Sequence, residues 1–340
     1  MAPLATSRQV GSTTLRLPPF GLGTAHLGGM YSRVSEPDSV ATLQAAWDGG
    51  VRFYDSAPWY GRGLSEHRLG SFLLNQPREA LVVTTKVGRV LHRPKDPATF
   101  DKAPWGGGLG FEVEFNYSYD GFMRAYEQSL QRLALTTVDA LLIHDLDAGA
   151  HGERFAGHLN DLTSTGIKAL EELKKAGDIK AIGMGINVAE SLENIATLVD
   201  LDFVLVAMPY TLADQAVLHT GLADCVRRNV SVVIGAPFAS GILVTGAGPN
   251  AKYRYGPAPE DIQTKVRAIE AVCARHGVTL PAAALQFPLA HPAVVAVIPG
   301  AARAAEVTSN LASIEAPIPA AFWAELKASG LIDPAAPTPA

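Results

Sequence analysis

ALVVTTKV (80–87) is an almost continuous apolar run that carries a lysine near its end, and DALLIHD (139–145) is a second run of this kind. Runs of this length, rich in β-branched and aliphatic residues, are typical of parallel strands buried on both faces. Amphipathic helical patterns separate eight such runs. The sequence therefore predicts a single (β/α)₈ barrel domain over residues 1–340, with a doubly wound open sheet as the alternative. The other six runs are 17–24, 51–57, 179–186, 202–210, 231–238 and 293–300.

Four segments need a separate interpretation. Residues 8–18 are expected to form an N-terminal β-hairpin that closes the bottom of the barrel. Residues 89–120, rich in Gly, Pro and aromatic residues, are expected to form a long irregular loop after the third strand, above the active-site mouth. Residues 276–302 lack acidic and basic residues but contain four prolines, which favours a helix, a turn and a buried strand over a membrane span. Residues 331–340 are expected to form a loose tail.

Composition and charge restrict the class of protein. The chain has 340 residues, of which 48% are hydrophobic and 18% charged, so it can bury a large core and does not read as disordered. A formal net charge of −5 gives no electrostatic case for nucleic acid or an anionic membrane as partner. Cys225 and Cys273 lie far apart, the histidines form no compact ligand set, and no signal peptide is recognisable. These features favour a reducing, cytoplasmic location without a metal site.

Polar residues stand at the ends of three neighbouring runs. Asp55 ends the second run, Lys86 lies at the end of the third, and His144 lies at the end of the fourth, while Tyr60 follows Asp55 by five residues. Singly, each has a structural explanation, since an aspartate there caps a helix, a lysine is solvated and a histidine packs in the core. In a barrel, however, the carboxyl ends of the strands form one rim, so these four side chains are predicted to lie together.

The four residue types suit proton transfer at a carbonyl or hydroxyl carbon, coupled to a hydride carrier. A tyrosine with its ordinary pKa near 10 is a poor acid–base group at neutral pH, but a neighbouring ammonium stabilises the phenolate and lowers that pKa. An acidic partner keeps the lysine charged and directed. A neutral histidine can donate a hydrogen bond to the substrate oxygen.

The glycine-rich stretch GLGTAHLGG (21–29) follows the first strand. It contains a G-x-G, but His26 interrupts the full dinucleotide-binding pattern. We therefore expect Gly23 and Thr24 to bring the backbone close to a cofactor without a Rossmann fold.

Four segments resemble the aldo-keto reductases, and the resemblance covers essentially residues 10–330. It implies a (β/α)₈ barrel that binds a nicotinamide cofactor. It also implies that Tyr60 is the acid–base residue, that Lys86 and Asp55 tune it, and that His144 orients the substrate. The four segments are DSAPWYGRGLSEHRLG (55–70), TTKVGR (84–89), SLQRLALTTVDALLIH (129–144) and VIPGAARAAEVTSN (297–310).

The same resemblance implies where the cofactor would lie. Tyr210 falls where an aromatic ring stacks on the nicotinamide, and Asn187 falls near its carboxamide; Gly23, Thr24 and Asp55 face the same ligand. The loop around the pyrophosphate would include Phe238, Ser240, Gly241 and Leu243, and the adenosine end would be held by Gly300, Glu306 and Asn310.

Glu306 decides the predicted form of the cofactor. Family members that prefer NADPH commonly carry lysine and arginine where this chain has Gly300 and Glu306. A carboxylate repels a 2′-phosphate and can accept a hydrogen bond from a 2′-hydroxyl. We therefore expect NAD, with NADP possible because Arg303 lies nearby.

Within the family, the sequence is most similar to bacterial NAD-dependent aldose 1-dehydrogenases that act on L-fucose or D-threo-aldoses, and to a pyridoxal 4-dehydrogenase. This implies oxidation of the anomeric carbon of an aldose such as L-fucose, D-arabinose or L-galactose to a lactone. The alternatives are oxidation of pyridoxal, NADPH-dependent reduction of an aldehyde or ketone, and a non-catalytic cofactor-binding regulatory subunit. Trp59, Trp105 and Phe111 are candidate pocket walls, and Asp147 is a candidate for binding substrate hydroxyls.

Overall fold

The computed structural model describes residues 6–339. Its main feature is an eight-stranded parallel sheet in which each strand pairs with its neighbours in chain order. Bridges from Phe20 to Val297 and from Gly23 to Gly300 join the first and last strands, so the sheet closes into a barrel. This confirms the predicted (β/α)₈ fold and excludes the open sheet. The strands are β1 (Leu22–Gly23), β2 (Phe53–Asp55), β3 (Val82–Val87), β4 (Ala140–His144), β5 (Ala181–Ile186), β6 (Phe203–Ala207), β7 (Ser231–Gly235) and β8 (Val294–Ile298).

Helices cover the outside of the barrel, and their ends follow capping signals in the sequence. The Ser35 hydroxyl accepts a hydrogen bond from the Asp38 amide at the start of the first helix, and Ser118 caps the third helix in the same way. The helices are α1 (Glu36–Asp48), α2 (Leu64–Leu73), α3 (Tyr119–Leu133), α4 (Ala148–His151), α5 (Phe155–Asp161), α6 (Ile167–Ala176), α7 (Gly221–Arg228), α8 (Ile242–Thr245), α9 (Glu260–His276), α10 (Leu280–Leu289), α11 (Ala304–Glu315) and α12 (Ala320–Ala328).

Apolar side chains form separate core regions on the two faces of the sheet. The larger region lies between the strands and the surrounding helices. The smaller one fills the barrel with side chains such as Phe53 and Phe203, each at most 1% exposed. Burying one such side chain stabilises the fold by about 1.5–3 kcal/mol, so the barrel interior forms a rigid base for the strand ends above it.

The N-terminal hairpin closes the bottom of the barrel, as predicted. Its strands, Arg8–Gln9 and Arg16–Leu17, pair antiparallel. Val10 is fully buried within the inner core region. The Gly11 amide donates a 2.9 Å hydrogen bond to the hydroxyl of Ser231, the first residue of β7. The hairpin therefore covers the amino ends of the strands, opposite the rim formed by their carboxyl ends.

The uncharged segment 276–302 forms the end of α9, then α10, a turn and the buried strand β8, in agreement with the sequence interpretation. Pro281 lies in the first turn of α10, where a proline disturbs a helix least, whereas Pro288 lies inside the last turn, where its missing N–H removes one helical hydrogen bond just before the helix ends. Across residues 6–339, no helix has both the length and the apolar character needed to cross a membrane.

Two expectations about irregular segments need correction. A long loop follows β3, as predicted, but it is not irregular throughout, because Arg89–His92 and Glu112–Phe115 pair in an antiparallel hairpin on either side of its Gly- and Pro-rich centre. The tail is not loose up to residue 339. Ile332 and Ala336 are at most 1% exposed and join the outer core, and the Asp333 carboxylate lies 2.7 Å from His219 Nε2.

Candidate active site

A cavity of about 670 Å³ lies at the carboxyl ends of the barrel strands. All eight strands contribute to its lining, in each case through their last residue or the one before it. This is where function is located in barrels of this type. The strand-end residues that line it are Gly23, Asp55, Lys86, His144, Gly185, Ile186, Ala207, Gly235 and Ile298, together with Leu205, two residues before the end of β6.

Asp55 and Lys86 form a buried ion pair at the floor of the cavity. Lys86 Nζ lies 2.7 Å from Asp55 Oδ2 and donates a second hydrogen bond to the Ser56 carbonyl at 2.8 Å. The Thr84 hydroxyl donates to the other carboxylate oxygen at 2.7 Å. Both charged side chains are at most 2% exposed. Burying two charges is tolerated because each is paired and hydrogen-bonded, which fixes the direction of the lysine.

Tyr60 lies above this ion pair. Lys86 Nζ is 4.8 Å from the centre of the Tyr60 ring. The ring also packs at 6.0 Å from Trp105 and, edge-on, at 5.9 Å from His144. The turn that carries Tyr60 packs so tightly against Gly28 that a Cβ at position 28 would collide with the Tyr60 backbone. The side chain is therefore held against both the lysine and the histidine.

The protonation of Tyr60 differs from the sequence argument. Burial raises the pKa of Tyr60 well above 10, and the Asp55 and Asp145 carboxylates raise it further, whereas Arg89 lowers it. The Lys86 ammonium was expected to lower this pKa, but it is directed at Asp55 and Ser56, so much of its charge is compensated. Tyr60 is consequently a neutral phenol at neutral pH, the acid form of the group.

His144 is a neutral, buried imidazole. Burial lowers its pKa well below 6.5, and the positive charges of Arg89 and Lys86 lower it further. Arg89 Nη1 lies 2.9 Å from His144 Nδ1 and 3.3 Å from Nε2. The Tyr117 hydroxyl donates a 2.7 Å hydrogen bond to the His144 carbonyl and so fixes the backbone at the end of β4. A neutral imidazole keeps one N–H that can be donated to a substrate oxygen.

Most of the other residues predicted for the site also line this cavity. Asn187 lies between two partners, because its amide donates to Asp145 Oδ1 at 2.8 Å and its carbonyl oxygen accepts from the Tyr255 hydroxyl at 3.1 Å. Trp59 and Trp105 pack edge to face at 5.5 Å and form one wall. Further predicted residues in the lining are Phe238, Ser240, Gly241, Gly300, Glu306 and Asn310.

The far end of the cavity, around residues 300–310, has features that fit a nucleotide. A Cβ at position 300 would collide with the His26 ring, so the glycine lets the backbone at this position lie close to that ring. Among the described residues, the buried His26 Nδ1 has no hydrogen-bond partner. Glu306 Oε2 accepts a 2.7 Å hydrogen bond from the Ala302 amide, which ties the exposed carboxylate to the loop before α11. Backbone groups, one free imidazole nitrogen and one carboxylate thus face this end.

Three residues predicted to bind the cofactor do not line the cavity. Tyr210 is fully buried behind the barrel rim, where its ring packs on Phe287 and His291. The chain turns at Met208, whose φ of 85° directs the following residues away, and Met208 lines the cavity instead. Leu243 is buried in the outer core.

Thr24 is the third of these residues. Its hydroxyl donates to the Asp55 carbonyl at 2.9 Å and accepts from Ser65 at 2.7 Å. Thr24 therefore supports the strand that carries Asp55 and does not face the cavity.

Two predicted substrate residues also lie elsewhere. Phe111 is 39% exposed, and its carbonyl accepts a hydrogen bond from Arg62 at 3.1 Å. Asp147 caps α4, accepting from the Ala150 amide at 2.8 Å. Residue type alone does not reveal this, because in each case the local turn decides the direction of the side chain.

Several side chains at the site were not assigned from the sequence. Asp145 and Tyr255 line the cavity, and Arg89 lies directly behind His144. Arg89 and Asp145 could have been predicted as site residues, because each is a charged residue within three positions of a strand-end residue already singled out. Tyr255 could not, since it is delivered by the distant loop between β7 and α9, at a φ of 66°.

Comparison with known proteins agrees with this architecture. The model of the aldo/keto reductase family matches residues 19–330. A pyridoxal 4-dehydrogenase from Microbacterium luteolum is 40% identical, covering 96% of this chain and 97% of its own. A D-threo-aldose 1-dehydrogenase from a Pseudomonas species is 36% identical, covering 98% of this chain and 99% of its own. An aldo-keto reductase from Bacillus halodurans, solved in its holo form, shares the fold with a TM-score of 0.75 at 22% identity, over 97% of both chains. The chain belongs to the aldo/keto reductase family.

Proposed function

We propose that this protein is an NAD-dependent dehydrogenase that oxidises a cyclic hemiacetal to a lactone. The observation that carries the proposal is the convergence of Tyr60, the Asp55–Lys86 pair and a neutral His144 on one cavity. Aldo/keto reductases use nicotinamide cofactors, and the relatives at 40% and 36% identity are named as dehydrogenases. A cyclic hemiacetal carries the hydroxyl to be deprotonated and the hydride to be removed on the same carbon.

Each residue has a distinct role in this reaction. The nicotinamide ring, when bound, supplies the hydride acceptor. Tyr60, in its phenolate form, takes the hydroxyl proton from the substrate, and the Lys86 ammonium, 4.8 Å from the centre of the ring, partly offsets the burial of that negative charge. Asp55 keeps Lys86 charged and directed. The single N–H of His144 holds the reacting oxygen in position.

The proposed preference for NAD over NADP rests on charge. Among the described residues lining the cavity, Lys86 is the only lysine or arginine, and it is already paired at the catalytic end. The far end presents the exposed carboxylate of Glu306, which repels a 2′-phosphate and can accept from a 2′-hydroxyl.

The cavity walls favour a flat aromatic hemiacetal, such as that of pyridoxal. Trp59 and Trp105 form an edge-to-face wall, and Tyr31 and Tyr255 add two further rings to the lining. Aromatic rings stack well on such surfaces. Asp147, the side chain expected to bind sugar hydroxyls, points elsewhere. An aldose is the second candidate, because the Asp145–Asn187 pair gives the rim hydrogen-bonding groups and a relative at 36% identity is named for that reaction.

Initial rates of NADH formation test this proposal. The purified protein would be assayed with pyridoxal, L-fucose, D-arabinose, L-galactose and D-galactose, with NAD⁺ and NADP⁺ side by side. Turnover of pyridoxal or of a sugar with NAD⁺ supports hemiacetal oxidation and selects the substrate. No oxidation, together with NADPH-dependent reduction of simple aldehydes, would replace dehydrogenation with reduction. Cofactor binding without turnover in either direction would indicate a regulatory subunit.

A further inference from the structure

Arg89 is a buried cation at the site that the reaction above does not use. It is the first residue of the hairpin after β3, and it is 6% exposed. Its guanidinium lies between two aromatic rings, with Cζ 5.3 Å from the centres of both Trp59 and Phe115. One nitrogen, Nη1, contacts the His144 ring, and the other, Nη2, donates to Asp145 Oδ2 at 2.9 Å. An arginine held this firmly has one fixed orientation toward the histidine.

The contact with His144 restricts where the imidazole proton can reside. A guanidinium donates hydrogen bonds and cannot accept them, so the ring nitrogen nearest to it must offer a lone pair. Nδ1 is the nearer of the two ring nitrogens, at 2.9 Å from Nη1 against 3.3 Å for Nε2, and is therefore the better acceptor. The proton of a neutral His144 is then on Nε2.

Asp145 acts in the opposite direction. Its Oδ2 lies 3.3 Å from His144 Nε2, and its Oδ1 is occupied by the Asn187 amide. An uncompensated carboxylate this close favours the imidazolium and captures its N–H. Arg89 compensates that carboxylate from 2.9 Å and at the same time repels a proton on Nδ1.

The other groups around His144 do not replace Arg89. From β2 and β3, Asp55 and Lys86 form a closed ion pair, of which the lysine also disfavours the imidazolium. Tyr60 is neutral and packs on the ring edge. From the other side, Tyr117 and His151 contact the backbone carbonyls of His144 and Asp145 and leave the imidazole free.

We infer that Arg89 is a positioning residue that holds His144 in the neutral tautomer protonated on Nε2 and prevents Asp145 from capturing that proton. In this tautomer the Nε2–H is available to a substrate oxygen in the cavity that His144 lines. Without Arg89, His144 and Asp145 form an ion pair of their own, and the N–H turns toward Asp145. The kinetic consequence of this inference rests on the proposed function, whereas the state of the imidazole does not.

The test combines ring-nitrogen NMR of His144 with kinetics. The His144 signals would be assigned as those absent from His144→Asn, and followed from about pH 5 to about pH 9 in the full-length protein. In the wild-type protein we expect a neutral ring with the proton on Nε2 throughout. A wild-type ring protonated on Nδ1 overturns the inference without any arginine variant, and it does so whether or not a substrate has been found.

Variants at two positions separate positioning from packing. In Arg89→Met we expect His144 to titrate within that range, with oxidation reduced about tenfold to a hundredfold at low pH and much less at high pH. Arg89→Met with Asp145→Asn should restore a non-titrating neutral ring and recover most of the loss. Arg89→Lys keeps a positive charge, so it should keep the ring neutral. A loss that is equal at every pH, with an unchanged ring and no recovery in the double variant, would mean that Arg89 only packs.

Discussion

The two halves of the cavity are built from different groups. On one side, β2 and β3 end in the buried, paired charges of Asp55 and Lys86, each 1% exposed, and β4 ends in the buried, neutral His144. On the other side, β7, β8 and the residues after them contribute glycines, backbone at positive φ and the exposed Glu306. The first half is preorganised for chemistry by interactions that also stabilise the fold. The second half offers an adaptable surface, so we expect substitutions in the two halves to have different consequences.

Lys86→Met should have the largest effect, on both activity and stability. It leaves the Asp55 carboxylate buried with only the Thr84 hydroxyl as a side-chain partner. Removing one member of a buried pair costs about 3–5 kcal/mol, measurable by chemical denaturation. The charge-matched double variant Asp55→Asn with Lys86→Met should recover most of the stability but not the turnover. A double variant as unstable as the single one would contradict the role of the buried ion pair, because the loss of stability would then come from packing.

Tyr60→Phe should abolish most of the turnover while leaving stability nearly unchanged. General acid–base groups contribute about 10²–10⁴-fold, and phenylalanine keeps the ring contacts with Trp105 and His144 that pack this side chain. Tyr54→Phe is the matched control. Tyr54 is fully buried on the same strand as Asp55, and its hydroxyl donates to the Val51 carbonyl at 3.1 Å. That variant should lose about 1 kcal/mol of stability and keep its activity. Full turnover in Tyr60→Phe would refute the acid–base role.

The strand ends and the loops beyond them differ in how well the sequence predicts the positions of their side chains. The ends of β2, β3 and β4 could be located from apolar runs, and barrel closure brings strand ends to one rim whatever the loops do. Asp55, Lys86 and His144 could therefore be placed together without knowing any loop conformation.

Positions in the loops beyond the strand ends depend on loop geometry, which residue type does not reveal. Tyr210 is buried because the chain turns at Met208, and Asp147 caps a helix instead of facing the cavity. Tyr255 reaches Asn187 from 68 residues away in sequence. Side-chain direction in such loops is set by single backbone torsions and by long-range contacts, neither of which leaves a periodic pattern.

The pH dependence of kcat/KM sharpens the account of the catalytic half. The pKa of Tyr60 is raised, so the phenolate needed for oxidation becomes more populated as pH rises, and oxidation should accelerate by up to about tenfold per pH unit above neutrality. Reduction, which needs the phenol, should not gain from that rise. The pKa of His144 is lowered, so its neutral form persists to acidic pH. Its titration therefore does not change kcat/KM near pH 7. An oxidation profile that is flat through the alkaline range would show that Tyr60 is already ionised in the complex.

Glu306→Arg should have the smallest effect, confined to the choice of cofactor. We expect the ratio of kcat/KM for NADP⁺ to that for NAD⁺ to rise about tenfold or more, because a guanidinium binds a 2′-phosphate that the carboxylate repels. Glu306→Gln, which keeps an oxygen for the Ala302 amide, should shift the ratio less. Glu315→Arg makes the same charge change at the other end of the same helix, away from the cavity. Equal shifts at positions 306 and 315 would mean that the general field of the protein sets the preference. A shift only at position 306 would mean that one exposed carboxylate sets it while the buried charges at the opposite rim remain undisturbed.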